Sequence, residues 1–366
     1  MIGQSPPLDW PIVASALVAR AQREGVAPLL RWQGGRMGWL TALPAAPRAR
    51  LDQHSYNAAA NIALLHSELQ RILAALAPLA VIVLKGAALA HTLYPDPALR
   101  PLHDLDLLVT DEALPDVTRR LAALGYTPLP QRPSGVAFDY CQGFQGGPGA
   151  AVVVEVHWRL VAGSADWRSS APAWFWQHAV PLPTIAALQL DPTATLLHLA
   201  AHLMLQHGDG PLRLLWLYDV HLLLTQQADA LDWAALIDQA ATSEWSGAVV
   251  AAVEQAHAHW ATPLPSALAL LRTQRTARER RFFERQAQGE QTIALTTWQT
   301  LQTQTWRERL RLLWSIACPP PHVMRVRYPP RHPWLLPLAY PRRWAMLGWA
   351  GLRTLLRLRR RKPPLV

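Results

Sequence analysis

The chain has 366 residues, of which 51% are apolar and 16% are charged, and this composition excludes an intrinsically disordered protein. Its two cysteines, Cys141 and Cys318, are far apart, which excludes a disulfide framework and a zinc site built from cysteines. The formal net charge is +10, and it comes from the region that starts at Arg307, where 14 Lys and Arg residues stand beside one acid, Glu308.

No apolar stretch has the roughly 18 residues that a membrane-spanning helix needs. The opening residues, MIGQSPPLDWP, lack the basic start and apolar run of a secretory signal. The sequence therefore predicts a cytoplasmic protein, with attachment to the inner face of a membrane as the alternative.

Two predicted helices open the chain, at 8–23 and 48–77, with a Gly- and Pro-rich loop at 25–47 between them. In the second helix the apolar residues recur with a period close to 3.6: Ile62, Leu65, Leu69, Ile72, Leu73 and Leu76. Strands and helices then alternate, which predicts an α/β unit. Its strands are at 81–84, 104–109, 136–144 and 152–158, and its helices at 87–94 and 112–124.

After Asp191 the pattern is helical, at 191–207, 212–227, 231–241, 245–260, 276–288 and 290–316, and a last helix at 342–362 carries Trp and Arg. The prediction is an α+β fold: a small mixed sheet with helices on both sides. We expect four units: an N-terminal helical segment, the sheet core, a larger helical region and a basic Pro/Arg/Trp-rich segment, at 1–77, 78–165, 166–317 and 318–366.

The sequence HDLDLLV places Asp104 and Asp106 two residues apart in a predicted strand, so that both side chains lie on one face. Two carboxylates in an apolar strand repel each other and lose hydration, and a divalent cation between them removes both penalties. Oxygen ligands of this kind favour Mg²⁺ or Mn²⁺. The alternative is a solvated edge strand with two surface acids.

Lys85 and Gly86 end the preceding strand, where a glycine before a helix exposes backbone N–H groups to an anion. Lys85 is one of only two lysines among 35 basic residues. The alternative is an ordinary lysine beside a turn glycine.

Glu155 lies in the middle of the apolar strand VVVEVHW, and His157 shares its face. A buried acid is nearly always paired or bound to a metal. The alternatives are an exposed edge, a pair with Arg159, and Asp139 as the third carboxylate of the site.

The order of these features resembles the DNA polymerase β-like nucleotidyltransferase superfamily. More closely, LKGAALAHTLYPDPALRPLHDLDLLV followed by VEVHWRL resembles an uncharacterised bacterial nucleotidyltransferase family, over about residues 81–160. The resemblance implies a polymerase β-like core and a metal-dependent transfer of NMP from an NTP such as ATP. The metal is Mg²⁺ or Mn²⁺, and two metals stabilise the attacking and leaving oxygens.

The resemblance also implies roles. Asp104 and Asp106 hold the metals and the triphosphate, and Glu155 completes the metal site and helps to deprotonate the acceptor hydroxyl. Lys85 and Gly86 stand at the phosphate loop, where Ala87 replaces the serine of the wider superfamily. Arg100 is a candidate phosphate clamp, or a loop arginine in solvent.

Four residues of the helical region are weaker candidates. His198 and His202 lie four residues apart on one helix face, and they either face the cleft or are ordinary helix residues. Arg213 and Asp219 are candidates for the acceptor side. The basic helix at 342–362 has three interpretations: a docked helix with a solvated tail, a membrane-surface helix and an RNA-binding segment.

The predicted function is a metal-dependent nucleotidyltransferase. Its partners are an NTP and an unknown hydroxyl or phosphate acceptor, for which a small molecule, peptide or sugar from natural-product or polysaccharide assembly is favoured. Two alternatives are a toxin-like transferase that acts on tRNA and a non-catalytic, membrane-associated assembly protein.

Overall fold

The computed structural model of the protein describes residues 10–129, 140–161, 171–183, 185–208, 212–289, 305–319 and 332–360, with the single residues 321, 324 and 328. Within these residues the fold is α+β, as predicted: helices surround one mixed sheet. Parts of the predicted elements at 136–144 and 290–316, and Asp139, lie outside the described residues.

The N-terminal part of the fold consists of three helices: α1 (Trp10–Arg23), α2 (Ala27–Arg36) and α3 (Ala45–Leu76). All six apolar residues that predict the long helix are buried in α3. The prediction of a loop at 25–47 is wrong over α2. Pro28 stands in its first turn, where a missing N–H is tolerated, and Gly34 packs against the Trp39 ring with no room for a side chain.

Seven strands form the sheet: β1 (Ile82–Val83), β2 (Leu105–Leu108), β3 (Thr127–Pro128), β4 (Cys141–Gly146), β5 (Val152–His157), β6 (Ala179–Pro181) and β7 (Leu188–Leu190). Their spatial order is β3-β4-β5-β2-β1-β7-β6. The pairs β2–β5 and β1–β7 are parallel, and the other pairs are antiparallel. Strands β3, β6 and β7 are missing from the sequence prediction, and the last two continue the sheet beyond residue 165.

Two helices lie between the strands of the core: α4 (Lys85–Thr92) and α5 (Leu114–Ala123). The helical region follows: α6 (Ala171–Gln177), α7 (Pro192–Gln206), α8 (Leu214–Gln226), α9 (Trp233–Ser243), α10 (Ser246–Trp260), α11 (Ala267–Gln274), α12 (Ala277–Ala287), α13 (Trp306–Ala317) and α14 (Ala339–Arg360). Asp191 caps the start of α7 by accepting from the Ala194 N–H. Among the described helices, none is long and apolar enough to cross a membrane.

The two faces of the sheet pack against different helices, because alternate side chains of a strand point in opposite directions. Leu105 and Leu107 join the core on the side of α3 and α5, whereas Leu108 joins the core on the side of α7 to α10. Asp104 and Asp106 alternate with the first pair, so they lie on the side of the helical region. The candidate site is therefore between the sheet and the helices.

Candidate active site

The three predicted carboxylates come together at the centre of the sheet. Asp106 in β2 is 5% exposed, and Glu155 is its direct partner in the parallel strand β5. Adjacent strands are about 4.8 Å apart, so this register brings the two carboxylates side by side. Asp104 is two residues before Asp106 and lies on the same face.

Lys85 neutralises the buried member of this group. Its Nζ donates to Oδ1 of Asp106 at 2.8 Å, and its backbone has a positive φ of 46°, in the left-handed region that a lysine rarely adopts. A strained backbone of this kind is typical of functional sites. The strain falls on Lys85, whereas the sequence places the special backbone at Gly86.

Gly86 is needed because of close packing. A Cβ at this position would lie 2.3 Å from both Nη1 of Arg100 and Cδ2 of Leu102. The absent side chain therefore lets the Arg100 guanidinium lie directly over the first turn of α4.

Arg100 is buried, and it binds Asp219 of α8 with two hydrogen bonds. Its Nε donates to Oδ1 at 3.0 Å and its Nη2 donates to Oδ2 at 2.7 Å, while the Tyr94 hydroxyl donates to the same Oδ1 at 2.7 Å. The interpretation of Arg100 as a loop arginine in solvent is wrong, because this buried ion pair joins the core to the helical region. Asp219 is likewise a structural partner here, rather than an open acceptor contact. For the predicted phosphate clamp, Nη1 is the one nitrogen of the guanidinium without a hydrogen bond to the described residues.

His157 connects the two carboxylates of the adjacent strands. Its Nε2 lies 2.9 Å from Oδ1 of Asp106 and 3.6 Å from Oε2 of Glu155, and the ring is fully buried. Glu155 itself is half-exposed, so its side chain is less buried than the sequence predicts. Arg159, a predicted partner of Glu155, lies beside Asp111.

The charges of the site depend on one another. Burial alone would raise the pKa of Asp106, but Lys85 and the hydrogen bond from His157 hold it well below its usual range. Burial would lower the pKa of Lys85, but Asp106 and its hydrogen bond raise it instead. For Asp104 the compensation is incomplete: burial, and next the charge of Asp106, raise its pKa to about 6, although Lys85 and Arg100 lower it.

The three carboxylates are of the donor type that suits a hard divalent cation, and Oδ1 of Asp106 is already bonded to Lys85 and His157. Asp104 has no hydrogen bond or ion pair to any described residue, and its pKa is raised by burial first and by the charge of Asp106 next. Carboxylates from Asp104, Asp106 and Glu155 on one face offer oxygen ligands of the type that Mg²⁺ and Mn²⁺ prefer. Next to them, ligand atoms of Cys141, Glu155 and His157 lie within 4.8 Å of one another, a softer set that sequence reasoning missed.

A row of aromatic residues from α7 and α8 faces the charged cluster. Ring centroids are 6.1 Å apart for His198 and His202, 4.6 Å for His202 and His207, and 4.8 Å for His207 and Trp216. Burial, and after it the charge of Lys85, lowers the pKa of all three histidines. Arg213 lies over the Trp216 ring at 5.4 Å. The α7 histidines lie near Lys85, and the prediction that they either face the cleft or are ordinary helix residues stays a prediction.

A cavity of about 300 Å³ lies next to Lys85, between α4, β7 and α7. Most of its lining is apolar, and its polar groups include Gln189, Thr195 and His198. Within the described residues the Nε2 of His198 is buried without a hydrogen-bond partner. The cavity is therefore large enough, and sufficiently polar at a few points, to hold part of a small organic molecule.

Comparison with known proteins gives a sequence family and one solved structure. The sequence profile of a family described as uncharacterised nucleotidyltransferase matches residues 11–261. The solution structure of the antibiotic-resistance factor ANT(2'')-Ia is similar over 55% of this chain and 98% of that one, with 15% sequence identity and a TM-score of 0.34. No curated protein matches the sequence. Because the family profile covers more than half of the chain, the protein belongs to the uncharacterised nucleotidyltransferase family, as its motifs predict.

Proposed function

We propose that the protein transfers NMP from an NTP to a hydroxyl or phosphate group of a small acceptor, and that the reaction depends on Mg²⁺ or Mn²⁺. The observation that carries this proposal is the register of β2 and β5, which sets Asp106 opposite Glu155 with Asp104 on the same face. Family membership makes the protein a transferase of nucleotidyl groups. The metal and the acceptor are our inference.

In this proposal Asp104, Asp106 and Glu155 hold the divalent cation, which supplies charge neutralisation for the attacking and leaving oxygens. The acceptor oxygen forms a bond to the α-phosphorus as the bond to the β-phosphate oxygen breaks, and pyrophosphate leaves. Glu155 is half-exposed and within reach of a substrate, so its carboxylate is suited to take the proton of an acceptor hydroxyl.

Lys85 and the start of α4 are the proposed phosphate contact. The N–H groups in the first turn of α4 have no partner within the helix, and a helix N-terminus attracts phosphate. Lys85 holds Asp106 in place and adds positive charge beside it. Arg100, held by Asp219 over Gly86, positions this turn, and its Nη1 stays the predicted contact to a phosphate oxygen.

A small-molecule, sugar or peptide acceptor is supported by the cavity beside Lys85, whose size suits part of a drug-sized molecule. The aromatic row on α7 and α8 offers ring surfaces for a base or an acceptor. An assembly protein without activity is disfavoured, because all three carboxylates are present and lie together. Residence in the cytoplasm is part of the same proposal.

The test is Mg²⁺-dependent binding of each of the four NTPs by calorimetry, followed by transfer of labelled NTP in a cell extract. We expect the wild type to bind NTP with metal and Asp104→Asn to bind none, since the variant lacks a proposed metal ligand. The variant should stay folded, because Asp104 has no hydrogen bond or ion pair to the described residues.

The matched control is Asp111→Asn, a more exposed acid outside the carboxylate group, which should bind NTP as the wild type does. Folded wild-type protein that binds no NTP with either metal would overturn the proposal. Metal-dependent binding that survives in Asp104→Asn would exclude this carboxylate from the site.

A further inference from the structure

The large apolar side chains that the described residues expose are concentrated in one region, which we call the Trp/Arg surface. It consists of α13, the turn Pro333–Leu338 and the first part of α14 to Trp349. Ten of the seventeen such side chains belong to it: Trp306, Leu310, Leu313, Trp314, Trp334, Leu338, Trp344, Met346, Leu347 and Trp349. Single exposed apolar residues are normal in soluble proteins, but a contiguous group of them marks an interaction site.

The two helices of this surface form one unit. The buried Arg343 of α14 donates from Nε to the Ile316 carbonyl at the end of α13, at 2.8 Å. Close by, the Tyr340 hydroxyl donates to the Pro319 carbonyl at 2.7 Å and the Trp344 indole to the Ala317 carbonyl at 2.8 Å. The hydrogen bonds therefore hold the two helices together, and with them the exposed aromatic rings that both helices carry.

The Trp/Arg surface lies within the basic part of the sequence, and it contains five of the basic residues of that part. The sequence has 14 Lys and Arg residues and one acid from Arg307 onward, whereas the rest of the chain has 21 basic and 24 acidic residues. Arg342 is exposed beside the exposed tryptophans. Tryptophan prefers the boundary between water and lipid, and arginine prefers anionic headgroups.

The composition favours a lipid surface over the other partners. Aromatic and basic side chains bind nucleic acids, but aliphatic side chains contribute little to such binding. Nucleic-acid binding therefore leaves the exposure of Leu310, Leu313, Leu338 and Met346 unexplained. A second copy of the chain would bring an equally basic surface against this one, and the like charges would repel. An anionic bilayer complements both the apolar and the basic groups.

We propose that the Trp/Arg surface docks the protein on an anionic membrane surface, with its tryptophans at the headgroup level and its basic residues against the headgroups. The helices lie on the membrane and do not cross it. This inference is independent of the proposed reaction and stands if that reaction proves to be different.

The test is flotation of the full-length chain with vesicles of phosphatidylcholine alone, and with vesicles containing about one third phosphatidylglycerol. We expect binding to the anionic vesicles and release at high salt, since salt screens the headgroup charge. Neutralising one exposed basic residue, Arg342→Gln, should weaken partitioning about fivefold. Arg50→Gln, an exposed arginine elsewhere, should leave it unchanged.

A second variant tests the apolar part. Trp306→Ser/Trp314→Ser/Trp334→Ser removes rings that are 66%, 69% and 74% exposed, so the fold should survive. The matched control, Ile12→Ser/Met37→Ser/Tyr56→Ser, removes groups that are 73%, 66% and 63% exposed elsewhere. We expect loss of vesicle binding in the first triple variant and not in the second.

Three results would overturn the proposal. The first is absence of vesicle binding at low salt, including the case in which the chain binds tRNA instead. The second is equal loss of binding in both triple variants. The third is a dimer in solution that the tryptophan variant alone dissociates, which would make this surface an interface between copies of the chain.

Discussion

The two walls of the cleft solve the problem of buried ionisable groups in opposite ways. On the sheet wall, Lys85 and His157 each bond to Asp106, and these two contacts favour the charged forms of the groups. On the helical wall, burial, and after it the charge of Lys85, lowers the pKa of His198 and His202, so their rings are neutral near pH 7. The sheet wall supplies charge, and the helical wall supplies ring surface.

The difference between paired and unpaired charged groups distinguishes residues that stabilise the fold from residues that serve only the reaction. Groups that neutralise each other belong to the fold and to the site at once, whereas a group without a partner serves the site at the expense of the fold. Asp106 is the first kind and Asp104 is the second, although they are two residues apart in one sequence motif.

The largest expected effect is that of Asp106→Asn. It removes a proposed metal ligand and leaves Lys85 buried without its counter-charge, so we expect transfer to fall about 10³-fold. The free energy of unfolding should fall by about 3–5 kcal/mol. Turnover at saturating NTP and urea unfolding measure the two effects.

Asp104→Asn is the control for this experiment. It should abolish transfer to a similar extent and cause no loss of stability, because Asp104 has no partner among the described residues. Equal destabilisation by both variants would mean that the two aspartates are not different in kind.

The second effect concerns the ion pair that joins the walls. Arg100→Ala leaves Asp219 buried with its Tyr94 hydrogen bond but without its counter-charge, so the free energy of unfolding should fall by about 3–5 kcal/mol. Arg100→Lys should recover only part of it, because an ammonium does not reproduce the two-bond contact. Urea unfolding measures both.

Asp219→Asn separates the structural role of Arg100 from the predicted phosphate clamp. If Nη1 contacts a phosphate oxygen, Arg100→Lys will raise the KM for NTP well above the value for Asp219→Asn at equal stability. Equal KM values in the two variants would leave Arg100 as a positioning residue alone.

The residues of the candidate site follow from the local sequence pattern, whereas the hydrogen bonds and ion pairs among them do not. The spacing of Asp104 and Asp106 fixes a shared face because side chains alternate along any strand. The same rule places His157 with Glu155. Their contact with Asp106 depends on the register of β2 against β5, which joins segments far apart in the chain.

The misplaced predictions have the same origin. Arg100 and Asp219 are 119 residues apart, and nothing near either residue indicates their pairing. Gly86 is predicted as a turn, but its requirement comes from the Arg100 guanidinium packed on it, a tertiary contact. Strands β6 and β7 have three residues each, too few for a period to show.

A smaller effect follows from the raised pKa of Asp104, which is about 6 in the folded chain against 3.8 for the ordinary group. An acid that binds its proton more tightly in the folded state destabilises the fold once it ionises. Without metal, the free energy of unfolding should therefore fall by roughly 1–3 kcal/mol as the pH rises from about 4 to about 6, and this component should stay constant above that range.

Urea unfolding in the presence of a chelator measures this slope. Asp104→Asn should remove the slope and be more stable than the wild type at pH 7. A slope that persists in the variant would assign the titration to another group.

The smallest effect tests the helical wall. His207 is exposed, its ring packs against Trp216, and its lowered pKa keeps it neutral at pH 7. His207→Ala should therefore change the free energy of unfolding by less than about 0.5 kcal/mol. It should raise the KM of the NTP or the acceptor about two- to tenfold through lost ring contact, with the same pH profile as the wild type between pH 7 and 8. His259→Ala, an exposed histidine on α10, is the matched control and should leave both KM values unchanged. If His207→Ala behaves like this control, the helical wall does not touch either substrate, and the cleft would have one functional wall instead of two.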